Sequence, residues 1–167
     1  MALLLSFLLS TALAAPPAAE VKLGWSYEGM PAGMRVFEAS STAPELWTTA
    51  TAERREDVPA GREVVGGVVR LAPGEQKLLV LVYRNPGKVP LRFFAAPHDA
   101  KPRAASLGME FECLCLNHVY AVGPGRWWWR VVRLSLASDY EAPRLNVTHA
   151  LVRVTKDSVK GRPLSAR

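Results

Sequence analysis

Two cysteines, Cys113 and Cys115, are separated by a single residue. In an extended strand, residues i and i+2 point to the same face, with Cα atoms about 6.5 to 7 Å apart. A disulfide usually needs a Cα separation below about 6.8 Å, so a bridge between these two positions would require a local kink. The spacing therefore favours two thiols side by side, although a pair of purely structural cysteines remains an open alternative.

Adjacent thiolates are ligands for a soft metal ion. They favour copper(I) and zinc over hard cations. Structural zinc usually takes four Cys or His ligands, and this chain has only two cysteines and three histidines. Copper(I) accepts as few as two sulfur ligands, so the ligand count predicts copper(I), held within one chain or shared between two copies.

Two further residues are candidate copper ligands. Met109, four residues before Cys113, would share the cysteine face of a regular strand, and its thioether suits copper(I), although a core position is the alternative. His118, three residues after Cys115, could close over the ion where the strand ends. The predicted metal ligands are Cys113, Cys115, Met109 and His118.

The other two histidines are separate cases. His98 lies in a polar stretch before the cysteine strand, where it could bind the ion or remain exposed. His149 lies in an apolar stretch near the end of the chain, and we interpret it as unrelated to the cysteines.

Short strands and turns must position these side chains. No stretch has a sustained helical period, and Pro/Gly turns recur about every ten residues, as in a β-sandwich. We predict an all-β, immunoglobulin-like antiparallel sandwich of seven to eight strands over residues 20–155, followed by a flexible tail, 156–167. The clearest predicted strands are 76–83, 91–95, 109–116, 127–136 and 147–154.

A run of three tryptophans opens one of these strands, after a Gly-Pro-Gly turn. We expect this strand to pair with the cysteine strand as a hairpin. Alternation sends Trp127 and Trp129 to one face and Trp128 to the other, so that one set lies in the core. The outward set, with Arg126 and Arg130, would face lipid headgroups, a partner protein or simply its neighbours.

Length and charge limit the class of protein. The 167 residues fit one domain, and 49% hydrophobic and 22% charged residues are ordinary globular values. The net charge of +6 suits a membrane surface or an acidic partner. No nucleic-acid motif is present. Neither is a nucleophile elbow, a phosphate loop or a metalloprotease histidine pair, so we do not expect an enzyme.

The N-terminus predicts the compartment. Residues 2–14, ALLLSFLLSTALA, are apolar and end in a small-x-small cleavage pattern. The run is shorter than the ~20 residues that span a bilayer. We therefore predict a signal peptide, or a short signal anchor, over residues 1–14, and a periplasmic location or one at the outer face of the inner membrane.

An ordered set of landmarks over residues 63–155 resembles a known family. It comprises Pro-Gly-Glu at 73–75, a strand ending at Tyr83, Asn85-Pro86, FECLCL at 111–116, VGPG at 122–125, Asp139 and Pro143. This order is similar to that of CtaG-type cytochrome c oxidase assembly proteins, the copper chaperones for the buried CuB site. Leucines at 114 and 116 replace the family's aromatic residues, and its additional cysteine is missing, so the resemblance is that of a divergent relative.

The resemblance implies an immunoglobulin-like domain in which Cys113 and Cys115 hold copper(I) as thiolates. It also implies a membrane-associated homodimer that passes the ion to an oxidase subunit. Two alternatives remain open at this point: an exported module that docks on a membrane complex with structural cysteines, and a thiol-redox protein with a reversible disulfide.

Overall fold

The computed structural model describes residues 17–59, 61–114 and 118–155. The predicted signal peptide (1–14), Cys115 and the predicted tail (156–167) lie outside the described residues. The described part forms two six-stranded sheets that pack as a sandwich, so the predicted all-β class is confirmed. No helix among these residues is long and apolar enough to cross a membrane.

The described residues contain twelve strands, more than the predicted seven to eight. They are β1 (Ala19–Glu28), β2 (Arg35–Glu38), β3 (Thr49–Ala52), β4 (Arg62–Glu63), β5 (Val68–Leu71), β6 (Gln76–Arg84), β7 (Leu91–Ala95), β8 (Asp99–Lys101), β9 (Met109–Glu112), β10 (Tyr120–Val122), β11 (Trp127–Leu136) and β12 (Arg144–Arg153). The predicted number of strands was too low because strands of two to four residues, such as β4 and β8, are too short for a visible alternation of apolar residues.

The first sheet has the order β10–β7–β12–β1–β5, with β8 also paired to β12. The second has the order β3–β11–β6–β2–β4, with β9 also paired to β11. Most pairs are antiparallel, but β1 and β12 run parallel over a long register that includes Val21 opposite Leu145 and Trp25 opposite His149. The chain's first and last strands thus lie side by side at the centre of the first sheet.

The main core fills the space between the sheets. Its side chains come from inward-facing positions on strands of both sheets, such as Val21 on β1, Leu81 on β6 and Leu134 on β11, all fully buried. Full burial of one such side chain contributes about 1.5 to 3 kcal/mol. Trp128 also lies here, 1% exposed, with its ring edge against Phe93 and Tyr120.

A second, smaller cluster covers the outer face of the second sheet. It contains Phe37, Ala52, Val58, Val80, Val82, Trp129 and Val131. The guanidinium of Arg55 lies 4.6 Å from the centre of the Phe37 ring and 5.8 Å from that of Trp127. Since β6 and β11 are buried on both faces, they read as continuous apolar runs.

The tryptophan run alternates as predicted, but Arg130 does not join an outward set. Arg130 shares the inward face of Trp128 and is 7% exposed. Its Nη1 donates a hydrogen bond to Thr49 Oγ1 at 2.5 Å, and its guanidinium lies 4.9 Å from the centre of the Trp47 ring. Alternation from Trp128 puts residue 130 on the same face, so Arg130 cannot contact lipid headgroups.

The cysteine strand pairs with the tryptophan strand, but not as a hairpin. β9 pairs with the second half of β11, where Phe111 faces Leu134, while the tryptophan half of β11 pairs with β3. The intervening β10 belongs to the other sheet, where it pairs with β7. The chain therefore changes sheets directly after β9, which is where Cys113 lies.

Candidate metal site

Cys113 follows the last residue of β9 and continues its inward face. Phe111 is 7% exposed and Cys113 is 4% exposed, whereas Glu112 between them forms an ion pair with Arg133 on the outer face. The thiol thus points into the space between the two sheets, toward strand β12 of the opposite sheet. The predicted cysteine face is therefore an interior face at this position.

His149 projects from β12 into the same space. It is fully buried, and its Nε2 lies 3.1 Å from Cys113 Sγ, within hydrogen-bond distance for sulfur. The indole of Trp25, its register partner on β1, stacks on the imidazole with ring centroids 5.2 Å apart. Phe111 meets the same imidazole edge-on, at 5.4 Å.

The third residue near the thiol, His98, lies in an irregular part of the first sheet. Ala95 pairs with Leu151 and Asp99 pairs with Thr148, so the three residues between Ala95 and Asp99 lie opposite only two residues of β12. This is the count of a β-bulge, which redirects a side chain. The polar stretch before the cysteine strand therefore contains a strand, β8, with a bulge at its start.

The bulge brings His98 to the cysteine. His98 Nδ1 lies 3.7 Å from Cys113 Sγ, and its ring lies 5.2 Å from that of His149. Unlike the other two members of the group, His98 is partly exposed, so it forms the solvent side of the site.

These three residues, hereafter the His-Cys-His group, could hold a metal ion. One ligand atom from each lies within 4.8 Å of the other two. A metal about 2.3 Å from sulfur and about 2.0–2.1 Å from nitrogen would separate S and N by roughly 3.5–3.8 Å. The observed separations of 3.1 and 3.7 Å are close to these values, so binding needs only small side-chain shifts.

The surroundings of the group are apolar. His149 Nδ1 is buried and has no hydrogen-bond partner among the described residues. Its other ring nitrogen, Nε2, makes the contact with sulfur. No carboxylate belongs to the group in the described part of the chain, which disfavours hard cations.

Of the four predicted metal ligands, one lies in the His-Cys-His group among the described residues. Cys113 is in the group, and Cys115 lies outside the described residues. Met109 begins β9, paired with Leu136 and packed on the core; four extended residues, about 13 Å, separate it from Cys113, which favours a packing role. His118 is exposed, and its ring packs on Tyr120 at 4.8 Å, so the structure does not place it in the group.

The interpretation of His149 as unrelated to the cysteines is wrong. Its position carried a usable signal, because it follows Leu145 and Val147 at alternating inward positions of a strand. A histidine at such a position must be buried, and a buried imidazole requires a polar partner. The sequence did not reveal that the partner is Cys113, 36 residues earlier.

The comparisons with known proteins bear on the whole sandwich. A family model described as Domain of unknown function (DUF8709) matches residues 19–154, and the chain belongs to this family. The matched segment runs from the start of β1 to just beyond β12 and includes the His-Cys-His group. No curated protein matches the chain, so the resemblance to CtaG-type proteins stays a prediction.

Proposed function

We propose that this family member binds copper(I) through Cys113, His149 and His98 and delivers it to a respiratory cytochrome c oxidase as an assembly factor. The observation that carries the proposal is the 3.1 Å approach of His149 Nε2 to Cys113 Sγ in the interior, with a second imidazole at 3.7 Å. A thiolate and two imidazoles converge there on one point.

The donor set favours copper(I) over zinc. A structural zinc site is closed by four protein ligands, whereas the group among the described residues offers three. Copper(I) is a soft ion that needs few ligands, so it matches a thiolate and two imidazoles in an apolar pocket better than zinc does.

Delivery requires a route for the ion, and His98 supplies it. Its partly exposed imidazole is the group member nearest to solvent, so an acceptor's ligand can replace it first. Cys115, two residues beyond Cys113, remains a predicted ligand and is the natural thiolate to hold the ion during the exchange. In this proposal the ion leaves by ligand exchange, without catalytic turnover.

The remaining parts of the proposal come from the sequence. The predicted signal peptide would place the domain outside the cytoplasmic membrane, near the oxidase subunit that accepts copper. The cysteines must stay reduced there, so a thiol reductant is required. A homodimer that shares copper, or contact of the basic surface with a membrane, would be compatible with the net charge of +6.

The test is a copper(I) titration against a chromophoric chelator under anaerobic, reducing conditions. We expect Cys113→Ser to weaken binding more than about 100-fold, since loss of even an outer-shell partner costs 10- to 100-fold. His118→Ala is the matched control and should bind as the wild type does. Equal affinity of the wild type and Cys113→Ser would refute the site. Failure of the loaded protein to pass copper to a copper-free oxidase subunit would refute delivery.

A second candidate is an interaction module whose buried cysteine is structural. The specific observation in its favour is the burial of the group, because Cys113 is only 4% exposed and His149 not at all. In that case the double variant Cys113→Ala/His149→Leu would fold and dock on its membrane complex normally, and the wild type would show no copper affinity.

A further inference from the structure

We propose that the His-Cys-His group holds copper in both oxidation states and serves as a one-electron transfer centre. The inference rests on the copper binding proposed above but adds a redox activity to it. It follows from four features of the group: its ligand types, its backbone anchoring, its burial and its contact with Trp25.

The ligand types suit both copper(I) and copper(II). One thiolate with two imidazoles in a roughly trigonal arrangement is the ligand set of copper electron-transfer sites. The thiolate stabilises copper(I), and the imidazoles are good ligands for copper(II).

Sheet pairing anchors the backbone at His149 and directly beside Cys113 and His98. His149 lies mid-strand in β12, which is paired with β1 on one side and with β7 and β8 on the other. Cys113 directly follows β9, which is paired with β11. The bulge that carries His98 is held at both ends, by the hydrogen bond from Ala96 N to Ala150 O and by the pairing of Asp99 with Thr148.

Such anchoring lowers the rearrangement that accompanies gain or loss of an electron. His149 cannot move far without breaking sheet hydrogen bonds, and Cys113 and His98 each lie next to a paired residue, Glu112 and Asp99. Protein interiors of this kind transmit strain and do not deform freely. A copper ion held by fixed ligands can change its oxidation state with little change in its coordination geometry.

Burial protects the oxidised state. Aromatic rings of Phe111 and Trp25 cover His149, which is fully buried, and Cys113 is nearly so. Among the described residues, His98 is the member of the group through which solvent and an acceptor's ligand reach the site. The site can then hold copper(II) beside a thiolate without losing the ion to solvent.

Trp25 connects the buried site with the surface. Its indole stacks on His149 with an interplanar angle of 25° and is itself partly exposed. It lines a surface pocket together with the charged residues Arg35 and Glu63. We place the contact with the electron-transfer partner at this pocket, because the indole stacks on a group member and also lines the surface there.

The step transfers one electron and nothing else. Bound copper(I) gives one electron to an oxidised haem or copper protein and becomes copper(II), while the acceptor is reduced by one electron. The reverse step takes one electron from the reduced form of such a protein. The thiolate and both neutral imidazoles stay bound throughout, so no proton is transferred and no covalent bond forms or breaks.

The experiment starts from the mature chain loaded with copper(I) under anaerobic conditions, with copper content measured first. Hexacyanoferrate(III) is then added in one-electron steps while visible absorption and electron paramagnetic resonance are recorded, and ascorbate is added afterwards. We expect an intense visible thiolate-to-copper(II) absorption that saturates at one oxidising equivalent per copper and disappears with ascorbate over repeated cycles. Cys115→Ser should keep this band and Cys113→Ser should lose it.

Different results overturn different claims. If copper(I) binds but oxidation releases the ion, or gives no visible band, the redox role is refuted and the proposed copper(I) binding stands. If the wild type takes up no copper(I) before the oxidant is added, both are refuted. His98→Ala changes a partly exposed residue and so should fold even if Cys113→Ser does not; it should shift the band, and an unchanged band would refute its ligation.

The path through Trp25 has its own readout. Trp25→Phe should leave the copper band in place and slow electron exchange with a redox protein severalfold. Leu107→Ala, at a site that is 79% exposed, is the control and should change neither quantity. Equal exchange rates in Trp25→Phe and the wild type would refute this path.

Discussion

His149 Nε2 lies 3.1 Å from Cys113 Sγ, and this contact joins the two sheets of the sandwich across 36 residues of sequence. His149 belongs to β12 in the first sheet, and Cys113 follows β9 in the second. A polar contact buried between sheets fixes their relative position only if it is well paired, and here one ring nitrogen of His149 is left without a partner. Both residues also belong to the His-Cys-His group, so this one contact bears on ion binding as well as on stability.

Replacement of His149 by leucine should therefore separate function from stability. The variant removes a buried polar group whose Nδ1 has no hydrogen bond, so the free energy of unfolding should stay within about 1.5 kcal/mol of the wild type. Copper(I) affinity should fall more than about 10-fold. Urea unfolding and chelator competition measure the two quantities. A loss of several kcal/mol with unchanged copper affinity would mean that the histidine is structural.

Trp128→Ala should be strongly destabilising. Trp128 is 1% exposed and packs on Phe93 and Tyr120, so its removal leaves a large cavity and costs about 3 to 5 kcal/mol. Urea denaturation at neutral pH measures the change. Val65→Ala, at a position that is 85% exposed, is the control and should stay within about 0.5 kcal/mol of the wild type.

Neighbouring glycines, Gly66 and Gly67, give a matched pair of substitutions. Both have positive φ, at 66° and 72°. A Cβ at Gly67 would lie 2.4 Å from the carbonyl oxygen of Leu23, whereas one at Gly66 meets nothing within 4 Å. Gly66→Ala should cost the left-handed penalty alone, about 1 to 2 kcal/mol, and Gly67→Ala clearly more. Thermal and urea unfolding of the two variants test this order, and equal losses would contradict it.

The ion pairs of Glu38 should contribute to acid sensitivity. Hydrogen bonds from Arg62 and Lys77 hold the pKa of its carboxyl below the ordinary value. A carboxyl whose pKa is lower in the folded state stabilises the protein above its unfolded pKa, near 4.3, and this contribution is lost as pH falls through the folded pKa. The free energy of unfolding of Glu38→Gln should accordingly fall less steeply than that of the wild type below about pH 4.3.

Chemical denaturation at a series of pH values measures that slope. The effect should be small, since exposed ion pairs are screened by solvent and salt. Glu45→Gln is the control, because Glu45 makes no ion pair in the described part of the chain. Parallel pH profiles for Glu38→Gln and the wild type would show that the ion pairs do not matter.

Predictions from the sequence were best where the local pattern is strong. The apolar runs at β6 and β11 gave those strands nearly to their ends, and the alternation at β12 gave all of it but the first three residues, because many residues contribute to each pattern. They were poorest at β8 and its bulge, where a strand of three residues stands in a polar stretch. That stretch carries His98, so the least predictable element positions one of the three group members.

The amino-acid sequence determined the all-β class and which residues of the main strands face inward, and it marked Cys113 as a candidate ligand, because these depend on residue type and on a period of two. Only the tertiary structure decided which side chains meet that thiol. His98 and His149 reach it through the pairing of β12 with β1 and β8 and through the packing of one sheet on the other. Such contacts follow from sheet order and register, which are set by the packing of the whole core and not by neighbouring residues in the chain.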